Sequence, residues 1–230
     1  MRNKKILIIA AHPDDEVLGC GGTMAKWANE GAEVYALIMA EGATSRDKTR
    51  DRESRNVDLA HLGLAAQKAS DLLGIASVEL LSYPDNRMDS VDLLDVVKSV
   101  EDRIKKINPD TVVTHHSADL NIDHQVIHEA VMAACRPQPG NPVKRILSFE
   151  VPSSTEWQSP TFGNSFIPNW FEDISDTLEL KIRALEAYET EMREWPHARS
   201  IKAVEHLARW RGASIGREAA EAFILERAIN

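Results

Sequence analysis

Two groups of ionisable residues hold the side-chain types that bind divalent metals and move protons. The first is the run His12-Pro13-Asp14-Asp15-Glu16, and the second lies at 115–125 and contains three histidines and two aspartates. Imidazole and carboxylate groups are ligands of zinc, and a carboxylate left free beside the metal can serve as a base. If the fold brings the two groups together, they predict a metal-dependent hydrolytic site.

A hydrolytic zinc site uses about three protein ligands and keeps one coordination position open for water. His12, one aspartate of the first group and one histidine of the second supply such a set. The other aspartate is then free to act as a base on a water whose pKa the metal brings to roughly 7. Asp14 or Asp15 could instead only cap the helix that follows. His128, four positions after His124, could be a further ligand, but we expect a packing residue because His12 already fills that place.

The strands and helices that must position these groups follow from the hydrophobic pattern. The apolar run at 6–11 is typical of a strand buried on both faces of a parallel sheet. Strand and helix patterns then alternate, and Gly31, Gly74 and Pro109 stand where helices end. This alternation predicts a doubly wound, Rossmann-like α/β domain with a mostly parallel sheet. The predicted strands are 5–11, 33–40, 77–83, 111–115 and 145–151, and the predicted helices are 16–30, 56–73, 91–107 and 123–135.

The topology of such a sheet places the two polar groups side by side. In the simplest doubly wound order the sheet reverses direction between its first and fourth strands, which are therefore neighbours. The first polar group follows the first predicted strand, and the second group follows the fourth. Ligands bind outside the carboxyl ends of the strands at this point. The two groups are therefore predicted to form one site.

Length and charge limit the alternatives. The 230 residues suffice for one well-buried α/β core, so we expect a single domain over 1–230, with a long aromatic loop at 152–171 and a C-terminal extension at 176–230 packed on it. A net charge of −9 argues against general affinity for nucleic acid, and no apolar stretch is long enough to span a bilayer. The first apolar run meets an acidic group rather than a cleavage site, so we expect a cytoplasmic protein with reduced Cys20 and Cys135.

Three segments outside the two groups have open interpretations. The loop at 152–171 is either a self-packed cover over the sheet edge or a wall of the substrate cleft that stacks on a sugar ring. The tail predicts helices at 176–193 and 200–211 and either a strand or a helix at 219–228. Cys20-Gly21-Gly22 indicates a close backbone approach or a later helix start. This run lacks the dinucleotide fingerprint, which argues against nucleotide binding.

The run from Ala11 through Glu16, together with Asp123-His124, resembles the LmbE/PIG-L family of zinc-dependent N-acetyl-sugar deacetylases. The resemblance implies one zinc ion held by His12, Asp15 and His124, with Asp14 as the general base. It also implies that Asp85 lies near the sugar hydroxyls, and we expect Glu41 to contribute to substrate binding. Weaker similarity extends over most of the chain at Glu41-Gly42, Tyr83-Pro84-Asp85, Arg211-Gly212, Gly216 and Glu221-Ala222-Phe223.

One position departs from the family pattern. Many members carry a histidine three residues before the last metal ligand, where it is proposed to steady the tetrahedral oxyanion, and this chain has Asn121 there. An asparagine can donate a hydrogen bond but cannot be a cation or a general acid. Either Asn121 and the zinc suffice, or His116 (less well His115) takes over the role.

These observations predict a hydrolase that removes the acetyl group from a 2-acetamido sugar, similar to N-acetylglucosamine and either free or conjugated. The products are acetate and a free amine. The expected partner is such a small molecule, and the oligomeric state stays open. One alternative is another metal-dependent hydrolase, such as a phosphoesterase, that draws a second metal site from Asp119 and Asp123. The other is a non-catalytic nucleotide-binding module.

Overall fold

The computed structural model describes residues 4–230, which form a seven-stranded sheet with helices on both faces. The strand order is β3-β2-β1-β4-β5-β7-β6, and the first five strands along the chain pair in parallel. The strands are β1 (Lys5–Ala10), β2 (Glu33–Ala40), β3 (Ser77–Tyr83), β4 (Thr111–His115), β5 (Arg145–Phe149), β6 (Trp170–Asp173) and β7 (Ala220–Ala228). The predicted α/β fold with a mostly parallel sheet is confirmed.

The helices cover the two faces of the sheet unequally. They are α1 (Asp15–Asn29), α2 (Asn56–Leu73), α3 (Leu93–Ile107), α4 (Ile122–Ala134), α5 (Leu178–Glu186) and α6 (Ile201–Ala213). Apolar side chains of α1, α2, α5 and α6 share one core, whereas those of α3 and α4 share the other. Strand β1 lies between these cores, with Ile6 and Ile8 in the first and Leu7 and Ile9 in the second. Its continuous apolar run is therefore explained by burial on both faces.

The predicted neighbours at the centre of the sheet are confirmed. Strands β1 and β4 pair in parallel, with Ile6, Leu7 and Ile8 opposite residues 111–113. Both strands end at the same edge of the sheet, and α1 and α4 begin there. The two polar groups lie at these strand-to-helix connections.

The tail differs from its prediction in three places. The helix predicted at 176–193 ends at Glu186, and residues 187–199 continue without regular structure. The segment at 219–228, left open from the sequence, is the strand β7, which pairs antiparallel with β5 and with β6. The short edge strand β6 was not predicted, because its four residues follow Pro168 in a loop-like sequence with no measurable alternation.

No helix among residues 4–230 has the length and apolar character needed to cross a bilayer.

Helix α1 is interrupted at the cysteine-glycine run, where Cys20 has φ −149° and ψ 26°. The interruption leaves free amides at the start of the second half of the helix, and those of Gly22 and Thr23 donate to the Glu221 carboxylate at 3.0 and 2.7 Å. The Lys181 ammonium donates both to Glu221 and to the Leu18 carbonyl, which ends the first half. One buried ion pair therefore satisfies both broken ends.

The glycine at position 22 is required by a close approach. A Cβ atom on Gly22 would lie 2.7 Å from Ile174 Cδ1, which is too close for an ordinary contact. Both sequence interpretations of this run are therefore partly right: a close approach occurs, and the helix does restart after Cys20. Cys20 and Cys135 are buried and free, as expected of residues that fill the core.

Replacing Lys181 by methionine should lower the free energy of unfolding by about 3 kcal/mol, because the buried Glu221 carboxylate then loses its charge partner. The matched control is Lys26→Met, since Lys26 pairs with Glu172 nearer the surface and such pairs contribute less than about 1 kcal/mol. Urea denaturation of the wild type and both variants measures the difference. Equal losses in the two variants would contradict the importance of the buried pair.

Candidate active site

The three predicted metal ligands converge on one carboxylate oxygen. His12 lies in the connection after β1, Asp15 opens α1, and His124 lies in the first turn of α4. Asp15 Oδ2 is 3.1 Å from His12 Nδ1 and 3.1 Å from His124 Nε2. All three side chains offer ligand atoms within 4.8 Å of one another, and only the His12 side chain, 14% exposed, reaches the surface appreciably. The structure therefore brings together the two sequence groups in one His/Asp cluster.

Each imidazole of this cluster has a further carboxylate beside the ring nitrogen that does not face Asp15. His124 Nδ1 is 3.1 Å from Asp119 Oδ1, whereas His12 Nε2 is 3.0 Å from Asp123 Oδ2 and 3.3 Å from Asp85 Oδ1. Histidines that bind metals usually donate their other ring N–H to such a carboxylate, which fixes the tautomer and the ring orientation. The nitrogens that remain for a ligand are His12 Nδ1 and His124 Nε2. These are the two that face the shared aspartate.

The charges and unpaired atoms of the cluster fit a divalent cation. Within residues 4–230, Asp15 Oδ1 and both ring nitrogens of His124 are buried and make no hydrogen bond. Buried polar atoms without partners are rare, and buried carboxylates require a positive counterpart. Four buried aspartates place an oxygen within 3.3 Å of one of the two imidazoles: Asp15, Asp85, Asp119 and Asp123. This donor set suits a metal ion bound by His12, Asp15 and His124.

The pKa values reflect the same excess of negative charge. Burial alone would raise the pKa of Asp15, but the imidazoles of His124 and His12 hold it well below its usual range. Burial likewise acts to lower the pKa of His124, yet Asp15 and Asp119 raise it to about 9. Asp15 therefore stays ionised and, together with Asp119, favours a positive charge on the His124 imidazole between them.

A second set of ligand atoms is formed by His12, Asp85 and Asp123. Its carboxylates are already engaged: Asp123 accepts from the amides of Asn86 and Met88 at 2.7 and 2.9 Å, and Asp85 accepts from the Ser45 amide at 2.9 Å. A two-metal phosphoesterase would use Asp119 and Asp123 on a second ion. In the described residues both carboxylates instead orient histidines of the first set.

Asp14 occupies the position before α1 but does not cap it. Its side chain makes no hydrogen bond to the amides of the first turn, so the interpretation as a mere helix cap does not account for it. Asp14 Oδ2 instead accepts from Arg199 Nη1 at 3.0 Å, and Oδ1 is buried without a partner. Burial holds the pKa of Asp14 well above its usual value, the Arg199 guanidinium opposes this shift, and Asp15 adds to it.

Each predicted oxyanion donor already has protein partners. The Nε2–H of His116 donates to the Asn164 carbonyl at 2.8 Å. Asn121 is the N-cap of α4: its Oδ1 accepts from the Asp123 amide at 2.9 Å, and its amide group donates to Asn86 Oδ1 at 2.8 Å. The choice between His116 and Asn121 therefore stays a prediction.

The neighbouring histidines are structural. His115 Nε2 accepts from the Ala11 amide at 2.8 Å, and its ring stacks 3.8 Å from that of His124. His128 Nδ1 donates to the His115 carbonyl at 2.9 Å. His128 packs on the backbone of β4 and lies outside both ligand sets, which agrees with the packing role expected for it.

The two predicted substrate residues have different surroundings. Asp85 lies directly beside His12, and burial opposed by the His12 imidazole leaves its pKa lowered to about 2. Glu41 is buried and binds Arg50 through two hydrogen bonds of 2.7 and 2.9 Å, with Arg52 at 2.8 Å. The carboxylate of Glu41 is thus held by arginines of the following loop. Substrate contact by Glu41 remains a prediction.

The aromatic loop borders the second polar group. Thr155 Oγ1 donates to Asp119 Oδ2 at 2.6 Å, and the Phe166 ring meets His116 edge-on at a centroid distance of 5.4 Å. Trp157 and Phe162 remain about half exposed, at 53% and 52%. These contacts support the interpretation of the loop as a wall of the site.

Sequence reasoning missed the partners of Asp14. Arg199 is 185 positions away from Asp14, between the helices predicted at 176–193 and 200–211. Tyr188, which donates to Glu16, falls within the helix predicted at 176–193. No spacing or motif in the sequence links these residues to the first polar group. The contact between Arg199 and Asp14 depends on how the irregular segment 187–199 folds, which the sequence does not reveal.

Comparison with known proteins gives a match to the part of the chain that holds both polar groups. The PIG-L family model, GlcNAc-PI de-N-acetylase, matches residues 7–135. An uncharacterized deacetylase of Escherichia coli K12, YaiS, is 34% identical over 197 residues, which cover 82% of this chain and 92% of that protein. The diacetylchitobiose deacetylase of Thermococcus kodakarensis is 30% identical over 218 residues, covering 86% of this chain and 76% of the relative.

A solved structure extends the similarity of fold to the whole chain. The 4-carboxy-2-hydroxymuconate hydratase of Pseudomonas putida KT2440 superposes with a TM-score of 0.76 at 22% identity, covering 99% of this chain and 98% of the hydratase. At this level of identity the likeness concerns the fold alone. Because the family model spans more than half of the chain and the two relatives reach 30% identity or more over most of it, the chain belongs to the PIG-L family of de-N-acetylases.

Proposed function

We propose that the protein is a zinc-dependent deacetylase that hydrolyses the acetamide of a 2-acetamido sugar, similar to N-acetylglucosamine and either free or conjugated. The observation that carries the proposal is the placement of Asp15 Oδ2 3.1 Å from nitrogens of both His12 and His124, beside the buried carboxylate of Asp14. Membership in a de-N-acetylase family and similarity to sugar deacetylases support the choice of substrate. The two buried, free cysteines suit the reducing cytoplasm that we propose as its compartment.

The residues divide the reaction among them. Zinc held by His12, Asp15 and His124 would supply Lewis acidity, which polarises the acetyl carbonyl and acidifies a water molecule. Asp14 would take the proton of that water, since its Oδ1 is buried beside Asp15 and has no competing donor. The same carboxyl group would then return the proton to the departing nitrogen. His116 or Asn121 would stabilise the oxyanion after exchanging its present partner.

The fold by itself does not select this reaction, because a hydratase shares it. A phosphoesterase would in turn need a second metal, and the carboxylates available for one lie against His12 and His124 instead.

The proposal is tested by release of free amine from N-acetylglucosamine, N,N′-diacetylchitobiose and sugar nucleotides, before and after treatment with a chelator. We expect amine release with at least one N-acetyl sugar, loss of activity on chelation and recovery with zinc. Hydrolysis of a phosphate ester in preference to every acetamide would contradict it.

Asp14→Asn should retain zinc and lose turnover by about 10²–10⁴-fold, because an amide cannot accept the proton of water. Initial rates and elemental analysis of the purified variant measure the two effects separately. Asp71→Asn, a change of the same type on the exposed surface of α2, is the matched control and should behave as the wild type. A near-wild-type rate for Asp14→Asn would remove Asp14 from the role of base.

His124→Ala should abolish zinc binding, whereas His128→Ala should retain it. The first change removes a nitrogen that faces the shared aspartate, and the second removes a ring that hydrogen-bonds only to the backbone of β4. Zinc content after dialysis against zinc-free buffer distinguishes the two variants. The assignment of ligands is wrong if His128→Ala loses the metal and His124→Ala keeps it.

A further inference from the structure

The backbone of Asp14 is strained. Its φ of 113° lies in the region that favours glycine, although Asp14 is a buried residue with a full side chain. Such a conformation persists only where the surrounding structure imposes it, and it is concentrated at functional sites. The contacts that impose it on Asp14 therefore determine where the carboxylate of the base points.

The first of these contacts runs through Glu16. One carboxylate oxygen of Glu16 accepts from the Asp14 amide at 3.1 Å, and the other accepts from the Tyr188 hydroxyl at 2.6 Å. Both Glu16 and Tyr188 are buried, at 3% and 0% exposure. Tyr188 thus fixes the carboxylate that in turn fixes the backbone of Asp14.

The second contact acts on the side chain itself. Arg199 Nη1 donates to Asp14 Oδ2 at 3.0 Å, and Arg199 Nε donates to Ser153 Oγ at 3.1 Å. The guanidinium is therefore held at two points and presents one N–H to the aspartate. Because Oδ2 is taken by Arg199, Asp14 keeps Oδ1 for the proton that it is proposed to accept.

Both contacts come from one stretch of the chain. Tyr188 and Arg199 lie in the irregular segment 187–199 between α5 and α6, beyond the residues 7–135 that the family model matches. Glu191 of the same segment pairs with Arg46 at 2.7 Å, in the loop that follows β2. This segment, which we call the 187–199 strap, therefore contacts the residues around Asp14 from a part of the chain far in sequence from the proposed metal ligands, which all lie in the first 135 residues.

We propose that Tyr188 and Arg199 are positioning residues of the deacetylase reaction, which hold the Asp14 carboxylate in its strained orientation, Tyr188 through Glu16 and Arg199 directly. This inference rests on the proposed function of Asp14 as the base. It makes the 187–199 strap part of the active site, although none of its residues binds the metal.

The test compares Tyr188→Phe and Arg199→Gln with the wild type in steady-state kinetics, zinc content and urea denaturation. We expect kcat to fall about 10-fold in Tyr188→Phe and about 10²-fold in Arg199→Gln, because small misplacements of a reacting group cost rate at this scale. KM should change by less than about twofold and zinc content should stay the same, since substrate contacts and ligands are untouched. Arg199→Lys should restore part of the lost kcat.

Two matched controls remove the same bonds elsewhere. Tyr35→Phe deletes a hydroxyl that donates to Glu33 at 2.7 Å, and Arg103→Gln deletes a guanidinium that binds Glu79, both away from the cluster. Both controls should keep the wild-type kcat. Variants of Tyr188 and Arg199 that lose stability and yet keep kcat within about twofold of their controls would overturn the inference and leave a structural role only.

A crystal structure of Tyr188→Phe gives a readout that does not depend on activity. The inference predicts that φ of Asp14 relaxes to a negative value or that its carboxylate turns away from Asp15. An unchanged Asp14 overturns the role of Tyr188. If the wild type hydrolyses no acetamide, the proposed function fails. The crystal structure of Tyr188→Phe then still shows whether the strap holds Asp14.

Discussion

The site depends on concentrating negative charge where water is scarce. Asp15, Asp85, Asp119 and Asp123 are buried with an oxygen within 3.3 Å of a nitrogen of His12 or His124, and the buried Asp14 adjoins Asp15 in the chain. Carboxylates removed from water are stable only with a positive partner, so the fold creates a strong demand for a cation at this place. One backbone amide at Asp85 and two at Asp123 meet part of that demand, and Arg199 meets part of it at Asp14. The remaining demand for positive charge is centred on the oxygen of Asp15 that faces both imidazoles.

The C-terminal third of the chain supports this arrangement twice. Glu221 and Lys181 satisfy the broken middle of α1, the helix whose first residue is Asp15. The 187–199 strap fixes Asp14, immediately before the same helix. A helix that starts at a strained residue and breaks after one and a half turns would be unstable alone, because short helices depend on tertiary contacts. The position of Asp15, the proposed metal ligand, therefore depends on residues that follow it by more than 150 positions.

Much of this site could be predicted from the sequence, and the reason is topological. His12, Asp14 and Asp15 directly follow a buried apolar strand, so they lie at the carboxyl end of a strand in a parallel sheet. The doubly wound order then places β4 beside this strand. The residues that could not be predicted act at a distance that no local pattern encodes. Tyr188 lies where a helical pattern continues past the actual end of α5, Arg199 lies between the two helices predicted for the tail, and β6 is too short to show alternation. Tertiary contacts decided these places, not propensity.

The proposed role of Asp14 as both base and acid agrees with the hydrogen bonds of the other candidate proton donors. Asparagine at position 121 cannot be a general acid, and the Nε2–H of His116 is engaged by the Asn164 carbonyl. His115 cannot supply a proton from Nε2, because that atom accepts from the Ala11 amide. Asp14 is a buried carboxyl group whose pKa burial raises well above its usual value, against the opposing charge of Arg199. A carboxyl group in this environment accepts a proton readily and can return it to a departing amine, so the replacement of the family histidine by Asn121 does not require a second acid.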